Sequence, residues 1–192
     1  MNFMKNLVIM KRLLRQGWVR AGVPAPIESL AAHSWAVAFL ALIFCLEENQ
    51  SRSKNQLNLE KTVLIALLHD LHESEWLDMD KSISTILSPE QLESVQHKLH
   101  EGAITSLLTK FSSSVKGRLE QILRDTESEE FHLARVADLM DLLIQTQDYG
   151  RKQFLDPEQY REFQTHARGQ LEQYKTRFSF LETLLATQEL SI

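Results

Sequence analysis

Four side chains of the sequence belong to the types that bind divalent metal ions, and each stands among mostly apolar neighbours. They are His33, His69, Asp70 and Asp138. A carboxylate in apolar surroundings is costly unless it is paired or bound to a metal ion. Two neutral imidazoles and two carboxylates suit a divalent ion, nearly cancel its charge and leave coordination positions open for water and substrate. The set therefore predicts a catalytic metal site.

His69 and Asp70 end an otherwise apolar segment, VLIALLHD. Adjacent residues of a helix point about 100° apart, so both side chains reach one point only if it lies between them at the helix surface. A metal ion is such a point. The alternative is that the helix ends here and that both side chains face solvent.

His33 and Asp138 each have a plainer interpretation as well. A lone histidine on an apolar helix face is more often a hydrogen-bonded core residue than a ligand. Asp138 precedes Asp141 by one helical turn, and we expect one of the two carboxylates to be exposed and the other to have a partner. A salt bridge from Asp138 to Arg135 or Arg151 would supply that partner. Because such side chains occur together on three separate helices, one shared metal site is favoured.

The elements that position these residues are predicted to be helices, because apolar residues recur with helical spacing and no strand pattern is convincing. Ser88 and Asp156 mark two helix starts, since each is followed by proline and then, three residues after the cap, by glutamine. We expect an all-α chain with a single domain over 1–192 and a loop over 74–87. The helices are predicted over 2–15, 29–48, 59–73, 88–110, 115–124, 129–149 and 157–187.

The composition fits a globular, helix-rich protein, with 43% apolar residues, 6 glycines and 4 prolines among 192 residues. The net charge of −5 weighs against a broad nucleic-acid surface. The longest apolar run, over 36–46, is shorter than the roughly 20 residues of a membrane helix, so we expect no membrane span. The single cysteine, Cys45, excludes an internal disulfide and suits a cytoplasmic location.

With these motifs the chain resembles the HD-domain superfamily of metal-dependent phosphohydrolases, whose metal ligands follow the order H…HD…D. Within that superfamily it is similar to the small HD hydrolases that include the bacterial 5′-deoxynucleotidases. The likeness covers most of residues 10–150 and none of the predicted C-terminal helix. The resemblance implies an HD-type helical bundle with the metal site between central helices. The matching stretches are Arg15-Gln-Gly-Trp18, Glu28-Ser-Leu-Ala-Ala-His33-Ser34, Leu67-Leu-His69-Asp70-Leu-His-Glu73 and Val136-Ala-Asp138.

The resemblance also implies roles for residues around the metal. Glu73, four residues after His69 and so expected on the same helix face, corresponds to a catalytic acid/base. Asp78 corresponds to the aspartate of a Gly-Asp pair at the family's site, although Leu77 replaces the glycine. Family members with two metal ions carry a further acid directly after the glutamate. Ser74 stands there instead and favours one metal ion.

Substrate-binding residues are implied near the N-terminus. Arg15 and Trp18 match an arginine and a tryptophan beside the family's pocket, and Arg20 competes with Arg15 for the arginine role. A guanidinium binds phosphate through two hydrogen bonds, and an indole packs on a sugar or base. The alternative for Trp18 is ordinary core packing.

The expected activity is metal-dependent release of phosphate from a (deoxy)nucleoside 5′-monophosphate. The ion would be one of cobalt, manganese, magnesium, zinc, nickel or iron. Three alternatives stay open: hydrolysis of another phosphate ester, an oxygenase with an iron pair, and a nucleotide-binding or regulatory module that keeps the metal site. The partner is expected to be a small phosphate ester rather than nucleic acid or membrane. Because relatives are often dimers, the apolar helix faces after Ser88 suggest a homodimer.

Overall fold

The computed structural model describes residues 3–76, 87–109 and 111–186 and is built from α-helices. This part of the chain contains ten helices and no strand, and its isolated antiparallel bridge joins Leu14 to Ser29. The all-α prediction is therefore confirmed. In chain order the helices are α1 (Phe3–Arg12), α2 (Gln16–Arg20), α3 (Leu30–Ser51), α4 (Leu59–Leu68), α5 (Glu73–Trp76), α6 (Pro89–Leu108), α7 (Ser113–Leu123), α8 (Glu129–Arg151), α9 (Pro157–Glu172) and α10 (Ser179–Ala186).

Three helices form the centre of the fold, since α3, α4 and α8 all pack against one another. Each of them begins at a side chain that accepts a backbone N–H of the first turn: Ser29 for α3, Asn58 for α4 and Ser128 for α8. Such caps satisfy N–H groups that the helix leaves unbonded and so fix where it starts. Small and branched side chains fill the space between the three helices, among them Val37, Ala41, Ala66, Leu133, Val136 and Leu143.

The helix α3 is long and apolar enough that by length and composition alone it could cross a membrane. It continues through Glu47 and Glu48 to Ser51, beyond the apolar run seen in the sequence. In the bundle its Val37 and Ala41 are completely buried, and so is the imidazole of His33. The inner side of α3 thus belongs to the core and carries one of the predicted metal ligands.

The prediction of one continuous helix over 157–187 is wrong. α9 ends at Glu172 and α10 starts at Ser179, and the intervening turns bring the completely buried Phe178 into the core. Glu48 of α3 holds the start of α10, because its Oε2 accepts the backbone N–H of Ser179 at 2.9 Å and the Ser179 hydroxyl at 3.1 Å. Helical periodicity does not reveal a partner so distant in the sequence.

Two further helix ends differ from the predictions in ways that matter for the site. α1 ends at Arg12 rather than near residue 15, and a separate short helix, α2, follows it from Gln16. Arg15 between them has an extended backbone. α4 ends at Leu68 rather than at residue 73, so His69 caps α4 and Glu73 begins α5. The segment from His69 to Glu73 therefore forms turns instead of a continuous helix.

We expect Glu48→Ala to lower the free energy of unfolding by about 1–3 kcal/mol, because it removes the acceptor of the Ser179 donors and of Arg52 Nε, 2.9 Å away. Urea denaturation measures the change. Glu47→Ala, at the exposed neighbouring position, is the matched control and should stay within about 0.5 kcal/mol of wild type. Equal losses in the two variants would contradict the capping role of Glu48.

Candidate active site

The four predicted ligand residues meet between α3, the end of α4 and α8. Nε2 of His33 lies 3.2 Å from Nε2 of His69, 3.4 Å from Oδ2 of Asp70 and 3.3 Å from Oδ1 of Asp138. Nε2 of His69 lies 3.2 Å from the same Asp70 oxygen and 4.0 Å from the same Asp138 oxygen. Two nitrogen and two oxygen atoms of the kinds that bind divalent ions thus converge on one small volume.

Both imidazoles are oriented by a hydrogen bond on the far side of the ring. Nδ1 of His33 donates to Oδ2 of Asp141 at 2.7 Å, and Nδ1 of His69 donates to the carbonyl oxygen of Ala66 at 2.7 Å. A ring that donates through Nδ1 directs its Nε2 lone pair at the site. Two such lone pairs 3.2 Å apart repel each other unless a proton or a metal ion lies between them. The donor set therefore fits a divalent metal ion.

The acidic side chains concentrate negative charge around His33. Burial acts to lower the pKa of His33, but hydrogen bonds to Asp138, Asp141 and Asp70 outweigh it and raise that pKa to about 11. Burial acts to raise the pKa of Asp70, yet the charges and hydrogen bonds of the neighbouring groups, the two histidines above all, hold it well below its usual range. Asp138 behaves in the same way, with its pKa lowered. Such a pocket attracts cations.

Two arginines flank the carboxylates. Nη1 of Arg15 lies 3.0 Å from Oδ2 of Asp70, and Nη1 of Arg135 lies 2.7 Å from Oδ2 of Asp138. The salt bridge from Asp138 to Arg135 therefore exists alongside the contact with the histidines. The expectation that either Asp138 or Asp141 is exposed is wrong, because Asp138 faces the cluster while Asp141, 6% exposed, supports His33 from behind.

The bridge between Leu14 and Ser29 sets Arg15 beside Glu28, since the Arg15 backbone N–H donates to the Glu28 carbonyl at 3.1 Å. Burial acts to lower the pKa of Arg15, but four nearby carboxylates, Asp70 foremost, raise it. Burial raises the pKa of Glu28, and the charge of Asp141 adds to that shift. Arg15 is therefore a fixed cation at the edge of the cluster.

Trp18 is buried among aromatic side chains. Its ring is 2% exposed and packs 5.1 Å from the Tyr149 ring and 4.7 Å from the Phe163 ring, between ring centroids. Its Nε1 donates to Oε2 of Glu28 at 3.0 Å. The structure therefore supports core packing for Trp18, which holds Glu28 in position.

The remaining predicted residues lie around the cluster or outside the described part. Glu73 lies close enough to Arg15 for its charge to help raise the guanidinium pKa, although burial of Arg15 acts to lower it. The hydroxyl of Ser74 accepts from Asn6 Nδ2 at 3.0 Å and donates to the Leu71 carbonyl at 2.7 Å. Arg20 is exposed at the end of α2. Asp78 lies outside the described residues.

Sequence reasoning missed the roles of two residues that shape the site, Glu28 and Asp141. Asp141 stands three residues after Asp138 on α8, which places the two on neighbouring parts of one helix surface. That spacing was the available signal for Asp141. Glu28 could be recognised only once the bridge at Ser29 was known.

We expect Asp141→Asn to weaken Co²⁺ binding by about 10–100-fold, because an amide no longer fixes the His33 ring with Nδ1 as donor. Calorimetric titration of metal-free protein measures the affinity. Asp148→Asn is the matched control, since that carboxylate lies on the same helix but pairs with Lys152 at the surface. An unchanged affinity in Asp141→Asn, or an equal loss in the control, would contradict the orienting role.

Comparison with known proteins agrees with this geometry. A curated protein from Dictyostelium discoideum named 5′-deoxynucleotidase HDDC2 is 26% identical over 155 residues, which are 79% of this chain and 78% of that protein. A solved structure of a conserved hypothetical protein from Pyrococcus furiosus shares 25% identity and a TM-score of 0.62, over 86% of this chain and 97% of that one.

Two further solved structures show the same fold. The PH0347 protein from Pyrococcus horikoshii has 24% identity and a TM-score of 0.71, with 98% of both chains covered. An HD-domain phosphohydrolase from Listeria innocua has 17% identity and a TM-score of 0.69, over 90% of this chain and 84% of that one. The family model described as 5′-deoxynucleotidase YfbR-like matches residues 2–186. The chain thus belongs to the YfbR-like 5′-deoxynucleotidase family.

Proposed function

We propose that this protein hydrolyses 2′-deoxynucleoside 5′-monophosphates to deoxynucleosides and phosphate, with one divalent metal ion held by His33, His69, Asp70 and Asp138. Membership in a 5′-deoxynucleotidase family supports the reaction and the nucleotide class of substrate. The observation that carries the site assignment is the approach of two imidazole nitrogens to 3.2 Å beside two carboxylates.

When bound, a divalent ion lowers the pKa of a coordinated water and withdraws charge from phosphoryl oxygens. His33 and His69 contribute neutral nitrogen donors in this proposal, while Asp70 and Asp138 balance the charge of the ion. Asp141 keeps the His33 ring in its donor orientation through the 2.7 Å hydrogen bond. These residues bind and orient and undergo no covalent change.

Arg15 and Glu73 act on the substrate and on the water. In this proposal the guanidinium of Arg15, 3.0 Å from Asp70, binds phosphoryl oxygens of the substrate and stabilises charge that develops on them. Glu73 accepts the proton of the attacking water and returns it to the leaving 5′-oxygen. Asp78 keeps its sequence-based assignment as a second acid at the site.

A single ion is supported by the surroundings of Ser74. Its hydroxyl is engaged by Asn6 and by the Leu71 carbonyl, so the position that could supply a second acid instead ties α5 to α1. This disfavours the iron-pair oxygenase. A regulatory module with a retained metal site is opposed by the presence of Arg15 and Glu73 beside the cluster.

We expect Asp70→Asn to lose both bound metal and phosphate release, because it removes the oxygen that contacts both histidines and Arg15. The assay is a panel of deoxynucleoside and nucleoside 5′-monophosphates with added Co²⁺, Mn²⁺, Mg²⁺ or Zn²⁺, combined with metal analysis of the protein. Full turnover by Asp70→Asn would refute the site assignment.

Glu73→Gln is the comparison that separates proton transfer from metal binding. It should retain the metal content of wild type and lose about 100-fold or more in kcat, since general acid–base catalysis contributes about 10²–10⁴-fold. If wild type released no phosphate from any nucleotide while nucleotides still raised its melting temperature, the protein would be a binding module.

A homodimer is part of the proposal, although the apolar surface that supports it lies on α3 rather than after Ser88. Trp35, Phe39, Ile43 and Leu46 are between 44% and 67% exposed and follow one side of the helix. The rings of Trp35 and Phe39 stack with centroids 5.8 Å apart. No charged residue interrupts 35–46, so a second copy could pack the same stripe against itself about a twofold axis.

We expect Trp35→Glu to convert a dimer into a monomer, because two copies would bring buried carboxylates together at the centre of the contact. Light scattering at several protein concentrations measures the molecular mass. Glu47→Lys, an exposed position just beyond the stripe, is the control and should leave the mass unchanged. A wild-type protein that stays monomeric throughout would refute the dimer.

We also propose a cytoplasmic location and no nucleic-acid or membrane partner. The only cysteine is free and buried, which suits a reducing compartment. The net charge of −5 favours a small ligand held by local arginines over a long polyanion.

A further inference from the structure

A second cavity lies between the C-terminal half of α8 and α9, with a volume of about 840 Å³. We call it the α8/α9 cavity. That volume falls in the range of small-molecule sites, which is roughly 300–1,000 Å³. Its lining combines cationic, amide, aromatic and apolar groups, among them Gln147, Arg151, Tyr160, Arg161, Gln164 and Arg168.

Three arginines converge on this cavity: Arg151 from α8, and Arg161 and Arg168 from α9. None of them forms an ion pair with a carboxylate in the described parts of the chain. Arg161 Nε donates to the Pro157 carbonyl at 3.0 Å, which folds its side chain along α9. Three cations without neutralising partners around one concave surface, in a protein of net charge −5, indicate an anionic ligand.

Gln147 provides an independent sign of a ligand. Its side chain lines the cavity and is only 6% exposed, yet its buried Oε1 has no hydrogen-bond partner. A buried polar atom left without a partner costs about 1–3 kcal/mol, so native proteins rarely keep one. Oε1 is itself closed to solvent, so a ligand that donates a hydrogen bond through an amino or hydroxyl group would reach it once the amide group turns over.

Tyr160 gives the cavity a flat wall. It packs directly on the backbone of Gly150, where an added Cβ would meet the ring at 2.5 Å, so only glycine allows this approach. The Tyr160 hydroxyl accepts from Gln164 Nε2 at 2.8 Å, which fixes the ring. Leu155 and Pro157 add apolar surface. A planar heterocycle could stack in such surroundings.

The cavity is separate from the candidate active site. At about 100° per residue, Gln147 and Gly150 point roughly 150° away from the mean direction of Asp138 and Asp141 on α8. Tyr149, next to Gly150 on α8, packs in an apolar cluster with Trp18, Val23 and Leu155. The cavity therefore lies on the other side of α8 from the metal cluster.

We propose that the α8/α9 cavity is a second, non-catalytic binding site for a phosphate-bearing nucleotide. Arg151, Arg161 and Arg168 bind the phosphates, Tyr160 stacks on the base, and Gln147 accepts a hydrogen bond from the base or sugar. No bond is made or broken at this site.

The test uses ATP as the nucleotide and tripolyphosphate as a probe without a base, titrated calorimetrically into the Asp70→Asn protein. That background removes turnover at the metal cluster, so the result does not depend on the proposed activity. Adding Arg151→Ala and Arg168→Ala together should weaken ATP binding at least tenfold. The matched control adds Lys116→Ala and Arg118→Ala, the same change of charge on α7, and should leave binding intact.

Adding Gln147→Leu should weaken ATP binding several-fold and leave tripolyphosphate binding unchanged. Circular dichroism establishes that each variant is folded. The proposal is overturned if ATP does not bind, if both charge-matched pairs weaken binding equally, or if Gln147→Leu has no effect on ATP. Tighter binding of a single-stranded oligonucleotide than of ATP would also overturn it, since the occupant would then be a nucleic acid.

Discussion

Two imidazole nitrogens, from His33 and His69, face each other at 3.2 Å in the middle of a helical bundle. Each ring is held there by a hydrogen bond from its other nitrogen, to Asp141 and to the Ala66 carbonyl. Such an approach is unfavourable for two neutral rings without a cation between them. The fold therefore holds the two rings so that a cation can lie between them, and the two nearby carboxylates make a metal ion the natural occupant.

The helices that position this contact are stabilised by interactions far from it. The three central helices start at side-chain caps, and small buried residues let α3 and α8 approach closely. Glu48, five turns of α3 beyond the start of that helix at roughly 3.6 residues per turn, holds α10 against the core. The bridge between Leu14 and Ser29 then brings Arg15 to the metal cluster. The helix α3 thus stabilises the core through Glu48 and also carries His33 of the candidate site.

Residue type and helical spacing predicted the all-α class and most of the helices, because burying one side of a helix leaves a periodic pattern. They also indicated His33, His69, Asp70 and Asp138 as candidates, but only their joint occurrence and the family resemblance favoured a shared site over separate structural roles. Contacts between residues distant in sequence were not predictable. The break before Ser179 depends on Glu48, and the burial of Trp18 depends on Tyr149 and Phe163.

The α4 motif shows why local spacing is an incomplete guide to chemistry. Four residues separate His69 from Glu73, and a continuous helix would place them on one face. The helix α4 instead ends at Leu68. The turns that follow it place Glu73 close enough to Arg15 for their charges to interact. The candidate acid thus reaches the neighbourhood of the cluster although the helix that predicted its position is absent.

We propose that one divalent ion binds where the two imidazoles face each other. Anomalous diffraction from crystals grown with Co²⁺ or Mn²⁺ is the decisive experiment. One strong peak is predicted, about 2.0–2.2 Å from Nε2 of His33 and of His69 and from oxygens of Asp70 and Asp138. A peak outside this cluster, two peaks within it, or none at saturating metal would contradict the account.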